Sequence, residues 1–171
     1  MQTKSDLEDW YIQADPWAYK NNAEDIKRKA YIIGICHMLA GTIEGDLSPF
    51  NTALDVCCGE GWITADLPAF MVYGYELADK AANRFPLLVT RLTDDDSEKM
   101  QLVTAMGCLY KHYDTEKITS VINKHAEKFI LTCNIQEWEA PEAIDKIVGK
   151  QIFEATFPYR EFTQKLRVFQ K

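Results

Sequence analysis

The stretch Ala53-Leu-Asp-Val-Cys-Cys-Gly-Glu-Gly-Trp-Ile-Thr-Ala-Asp-Leu67, followed by Val72-Tyr-Gly-Tyr-Glu-Leu77, constrains the fold more than any other part of the chain. An apolar run leads into a turn with glycines at 59 and 61, then a helix start, then a second apolar run that ends in an acid. That order is the local grammar of a nucleoside-binding α/β half. Without a Cβ, Gly59 and Gly61 let the chain turn sharply and let a ligand lie on the main chain. A helix starting just after them aims its unpaired amide N–H groups at that ligand. Glu76 falls about 20 residues past Asp55, where a carboxylate can accept hydrogen bonds from both ribose hydroxyls. The pattern therefore predicts an adenosine-containing cofactor. Gly59-x-Gly61-x-x-Thr64 approximates a dinucleotide fingerprint, but bulky Trp62 and the missing third glycine disfavour close packing on a pyrophosphate. An NAD-dependent oxidoreductase is accordingly the weaker alternative.

Leu54-Asp55-Val56-Cys57-Cys58-Gly59-Glu60-Gly61, with Thr64 and Leu67, resembles motif I of the class I S-adenosylmethionine-dependent methyltransferases. Tyr73-Gly74-Tyr75-Glu76 resembles their second strand, and Asp15-Pro16-Trp17 with Tyr19 is similar to the opening segment of the small NodS-like methyltransferases. The resemblance implies an α/β, Rossmann-like fold: a mostly parallel seven-stranded sheet closed by an antiparallel C-terminal hairpin, with helices on both faces. It implies S-adenosyl-L-methionine as cofactor. Asp55, Cys57, Gly59, Glu60 and Gly61 would lie at its methionine end, Glu76 and Leu77 at the ribose, and Leu92 within Arg91 to Asp94 near the adenine. Trp17 and Tyr19 would close over it. The departure is Cys57, which stands where the family motif has its first glycine. A cysteine tolerates positive φ poorly, so this position either keeps ordinary strand geometry or is strained.

Composition narrows the function classes. A chain of 171 residues is expected to form one domain, with an N-terminal helical cap over 1–45 and a Rossmann-like core over 51–171. A net charge of −7 disfavours a nucleic-acid surface, which needs clustered Lys and Arg. Lys27-Arg28-Lys29 is the compact basic run and reads as a solvated helix face. No apolar stretch approaches a membrane span or a signal-peptide core, which predicts a cytoplasmic protein without a membrane partner. The five cysteines lack metal-ligand spacing, so no metal site is expected, and they read as small core residues.

Periodicity places the remaining elements. Apolar spacing over Glu24 to Ala40, through Ile26, Ala30, Ile33, His37 and Met38, predicts a helix before the sheet. Strands are expected at 51–56, 71–76, 87–92, 101–106, 129–133, 151–157 and 164–170, and helices at 79–85, 115–128 and 140–150. Thr64 to Leu67 is expected within a crossover helix between the first two strands.

In open parallel sheets ligands lie beyond the carboxyl ends of the strands, which directs attention to the residues just after each one. After the fourth strand, His112 is a candidate general base or an exposed loop histidine, and Tyr110 a candidate wall of the methyl pocket or a packing residue. Asn134 orients an acceptor or caps a turn, and Tyr11, Trp17 and Tyr19 either form the lid or plug the open end of the sheet as core. Tyr159 and Arg160 reach the pocket rim, unless Arg160 pairs with a surface acid. The expected function is methyl transfer to nitrogen or oxygen of a small polar acceptor such as a sugar. A protein that binds, cleaves or senses the cofactor without transferring a methyl group would share these motifs.

Overall fold

A computed structural model describes residues 2–44 and 48–171, so Met1 and Gly45, the ends of the expected cap, lie outside the described residues. The seven strands are β1 (Phe50–Val56), β2 (Ala69–Tyr75), β3 (Val89–Arg91), β4 (Met100–Met106), β5 (Ala126–Ile135), β6 (Lys150–Tyr159) and β7 (Phe162–Gln170). They form one sheet in the order β3-β2-β1-β4-β5-β7-β6. The first five run parallel, whereas β7 inserts antiparallel between β5 and β6. The order reverses between β1 and β4, whose carboxyl ends open the crevice where ligands bind in such sheets.

Helices cover both faces. α2 (Ala23–Glu44) buries Ile32, Cys36 and Leu39 against Ala53, Leu102, Leu131 and Val168. On the other face α4 (Thr115–His125) and α5 (Pro141–Asp145) bury Ile118, Val121, Ile122 and Ala143 against Leu54, Val103 and Ile130. Each fully buried aliphatic side chain contributes about 1.5–3 kcal/mol, offset by ordering entropy. Asp114 caps α4 by accepting the Lys117 N–H at 3.1 Å. The remaining helices are α1 (Lys4–Trp10), closed by a Thr3/Asp6 capping box, and α3 (Asp79–Ala82).

Several expectations are corrected. The crossover between β1 and β2 contains only a single 3-10 turn, Thr64–Asp66, rather than a helix. α2 covers that face instead, sealing it over Ile63 and Leu67. The buried stripe of α2 is also rotated from the one the apolar spacing suggested: Ile26 and Met38 are 51% and 59% exposed and His37 is exposed. Asp25, Arg28, Ile32, Cys36, Leu39 and Ala40 face inward. Apolar residues nearly encircle this helix, so periodicity alone does not choose a face, and the inward stripe begins with two charges. Arg28 is thus not part of a solvated run. The predicted 87–92 strand shrinks to Val89–Arg91, leaving Leu87 and Leu88 exposed, and the 140–150 helix shrinks to α5. No helix among the described residues is long and apolar enough to cross a membrane.

Candidate functional site

The turn after β1 carries the strain that the sequence left open. Cys57 has φ of 59°, a left-handed conformation that is costly for a residue with a side chain, and Gly59 and Gly61 follow at 57° and 77°. The Cys57 N–H still donates to the Tyr75 carbonyl at 2.7 Å, so the β1–β2 ladder holds the first residue of the turn. Asp55 sits beneath it, 2% exposed, accepting the Thr64 and Thr104 hydroxyls at 2.7 and 2.8 Å. Burial pushes its pKa up to about 6 against the pull of those two hydroxyls. Its contacts make Asp55 the anchor of the turn.

Glu76 closes the turn from the β2 side. One carboxylate oxygen accepts the Gly59 N–H at 2.9 Å and the other accepts the Ala78 N–H at 2.9 Å. Burial raises its pKa, and the amide donors oppose that rise. The carboxylate therefore lies at the Gly59 turn and lines the larger of two adjoining cavities, together with Leu77. Gly61 has a different role from the one expected. A Cβ there would meet Pro86 Cδ at 3.1 Å and Phe85 at 3.6 Å, so its small size serves packing toward β3. At Gly59 a Cβ would come within 2.7 Å of the Tyr11 hydroxyl, which places Tyr11 in the cap over the turn.

That cap is latched by named contacts. Glu60 accepts the Asp15 N–H at 3.1 Å on both oxygens and an Arg84 N–H at 2.7 Å, while Arg84 also donates to the Gln13 carbonyl at 3.0 Å. Glu60 lines the smaller cavity, but its carboxylate is occupied in fastening the cap to motif I. Glu8 reaches the first N–H groups of α3 from the other side. Trp17 stacks between Trp10 and Tyr19 at 4.8 and 6.4 Å, and Tyr19 stacks on Trp62 at 5.7 Å. Trp17 and Tyr19 line both cavities, about 60 and 510 Å³ in volume.

Arg28 is a cavity-lining residue that the sequence concealed. It is 5% exposed and faces both cavities, and no carboxylate among the described residues lies within ion-pair distance of it. Its Nε has no hydrogen-bond partner, and its guanidinium lies 5.5 and 5.1 Å from the ring centres of Tyr19 and Tyr159. A buried cation without a counter-charge is costly, and an anionic ligand group would relieve that cost.

The other predicted residues divide. Tyr110 and His112 both line the larger cavity and stack at 5.6 Å. The Tyr110 hydroxyl accepts the Ile135 N–H at 3.0 Å, and burial raises its pKa. Partial burial lowers the pKa of His112. Tyr159 and Arg160 reach the rim, but both are committed to Asp25, which is wholly buried, at 2.6 and 2.7 Å. Arg160 pairs with an acid as the alternative reading held, though that acid lies in the interior. Asn134 is fully buried and its side-chain oxygen accepts the Leu109 N–H at 3.2 Å, so it shapes the loop after β4 and does not meet an acceptor. Leu92 is 4% exposed in the core beside Tyr75 and lines neither cavity. Asp94 is bound to the Tyr75 hydroxyl at 2.6 Å and Lys117 at 2.9 Å. Lys117 and Ile118 of α4, not Leu92, form that end of the larger cavity.

No family model matches the chain, and no curated protein matches it in sequence. Solved structures do match. The N-methyltransferase NodS from Bradyrhizobium japonicum WM9, in complex with S-adenosyl-L-homocysteine, aligns at a TM-score of 0.76 and 14% identity, covering 98% of this chain and 97% of that one. Magnesium protoporphyrin IX methyltransferase (ChlM) from Synechocystis PCC 6803 with bound S-adenosylmethionine aligns at 0.71 and 14% identity over 100% and 98% of the two chains. The likeness spans both proteins almost end to end. The chain has the fold of the class I S-adenosylmethionine-dependent methyltransferases.

Proposed function

We propose that the protein is an S-adenosylmethionine-dependent methyltransferase acting on nitrogen or oxygen of a small molecule. The observation that carries this reading is the placement of Glu76 against the Gly59 turn, with Arg28 unpaired across the adjoining cavities. Glu76 would accept the ribose hydroxyls, Arg28 would hold the methionine carboxylate, and Leu77 and Ile118 would enclose the adenine. These residues fit the group's charges: Arg28, a buried cation with no carboxylate in ion-pair distance among the described residues, meets its carboxylate, and the aromatic faces of Tyr11 and Tyr19 suit its sulfonium. S-adenosylmethionine supplies an already activated methyl group, so the protein's part is alignment, exclusion of water and removal of a proton.

Tyr11 and Trp17 exclude water when the cap is latched through Glu60. His112, exposed at the mouth, accepts the proton from the acceptor. The structural neighbours are named as an N-methyltransferase and a magnesium protoporphyrin IX methyltransferase, and a shared fold leaves the acceptor open. The test is formation of S-adenosylhomocysteine across a panel of small nucleophiles, paired with thermal shifts on S-adenosylhomocysteine and NAD. Turnover with one acceptor and a shift with S-adenosylhomocysteine alone are expected. Binding without turnover of any acceptor would favour a cofactor sensor, cleavage without methyl transfer a lyase or hydrolase, and a shift with NAD an oxidoreductase.

A further inference from the structure

Away from Glu76, the larger cavity ends in a wall of aromatic rings that three separate loops bring together. Tyr110 follows β4, Trp138 follows β5, and Tyr159 and Phe162 flank the β6–β7 turn. Trp138 meets Tyr110 edge-on at 5.7 Å and 82°, tilts on Phe162 at 4.7 Å, and remains 42% exposed. Such a ring still has a face to offer a guest.

The deep polar atoms along this wall are each engaged within the fold, and the proton of the Tyr110 hydroxyl is the one donor left to a guest among them. The Tyr110 hydroxyl takes the Ile135 N–H, the Tyr159 hydroxyl and Arg160 take Asp25, and Asn134 is sealed behind Leu109. The connection that carries Arg160 is held in this arrangement at a cost, with φ of 53° at a non-glycine position. A polyhydroxylated guest needs several fixed polar partners, because each hydroxyl buried without one forfeits its hydrogen bonds to water. A flat ring needs faces and edges, which this wall supplies.

We infer that the acceptor is a planar aromatic or heteroaromatic ring bearing an O–H or N–H nucleophile, seated against Trp138 with the nucleophile toward His112. This deepens the methyltransferase reading and rests on it. The acceptor's lone pair forms the new bond to the methyl carbon as the carbon–sulfur bond breaks. Sulfur keeps that electron pair, and the acceptor's proton passes to a His112 ring nitrogen. The inference narrows the acceptor away from a sugar.

The experiment loads the protein with S-adenosylhomocysteine, verified by calorimetry, and titrates naphthol, its fully saturated counterpart decahydronaphthol, and methyl glucoside, read by ligand-observed NMR. Naphthol should bind at least tenfold more tightly than decahydronaphthol, with methyl glucoside undetected. Trp138→Ala should abolish that preference and Trp138→Phe should keep it, while both variants retain wild-type affinity for S-adenosylhomocysteine. Equal binding of the saturated alcohol, tighter binding of the glucoside, a preference that survives Trp138→Ala, or no binding of any of the three overturns the inference and leaves the methyltransferase reading standing. A folded protein that takes up no S-adenosylhomocysteine defeats that reading first, and the inference with it.

Discussion

The two ends of the cleft are built on opposite principles. The proposed cofactor end is made from one short stretch of chain, Asp55 to Gly61, and the acid after the next strand, all tied by main-chain amides and buried hydroxyls. The proposed acceptor end is assembled from loops after β4 and β5 and from the β6–β7 turn, and its rings lean on one another. A recurring ligand can be met by fixed backbone geometry, whereas a variable one is met by side chains on separate loops. Disturbing the first end should therefore alter cofactor binding, and disturbing the second should not.

The largest expected effect concerns Asp55. Its folded pKa of about 6 lies above its ordinary value, so the folded state holds the proton more tightly than the unfolded chain. That contribution to stability is full below about pH 4 and is lost as pH rises through about 6, a change of about 3 kcal/mol. Asp55→Asn should flatten this segment of a denaturation-against-pH curve. An unchanged slope between pH 4 and 6 would show that Asp55 is not the buried acid described here.

Next, Glu76→Ala should cost about 1.5–3 kcal/mol of affinity for S-adenosylhomocysteine, as for losing hydrogen bonds to a charged partner. Calorimetry on protein whose circular dichroism is native checks this, and undiminished affinity would remove Glu76 from the site. Arg28→Leu should weaken the same binding by at least about 1.5 kcal/mol with little change in the unfolding midpoint, because the substitution removes a buried charge that lacks a carboxylate partner and loses only its contacts with the Tyr19 and Tyr159 rings. A large loss of stability with intact binding would mean that Arg28 is structural.

The smallest effect sharpens the contrast. Tyr110→Phe should lower stability by about 1 kcal/mol, since the Ile135 N–H loses its acceptor, and leave S-adenosylhomocysteine affinity unchanged. A tenfold fall in that affinity would erase the distinction between the two ends.

The same contrast explains what the sequence reveals. The first two strands and Glu76 are legible because their roles depend on local spacing and on glycine geometry. Cys57 marks the one strained position of the turn that has a side chain, and the sequence posed that strain as an alternative. Arg28 was hidden because its meaning depends on which face of α2 turns inward, and apolar residues around that helix leave the choice to packing against the sheet. Asp25 acquires Tyr159 and Arg160 as partners only through contacts far along the chain. The missing crossover helix is likewise a tertiary outcome: α2 already covers the surface that it would have filled.

The most direct test of the central claim is calorimetric titration of S-adenosylhomocysteine into the wild-type protein and the Glu76→Ala and Arg28→Leu variants, with NAD as control. The account predicts saturable binding of one molecule per chain, at least tenfold weaker in either variant, and no heat from NAD. Folded wild-type protein that takes up no S-adenosylhomocysteine, or binds it equally well with Glu76 and Arg28 replaced, would contradict it.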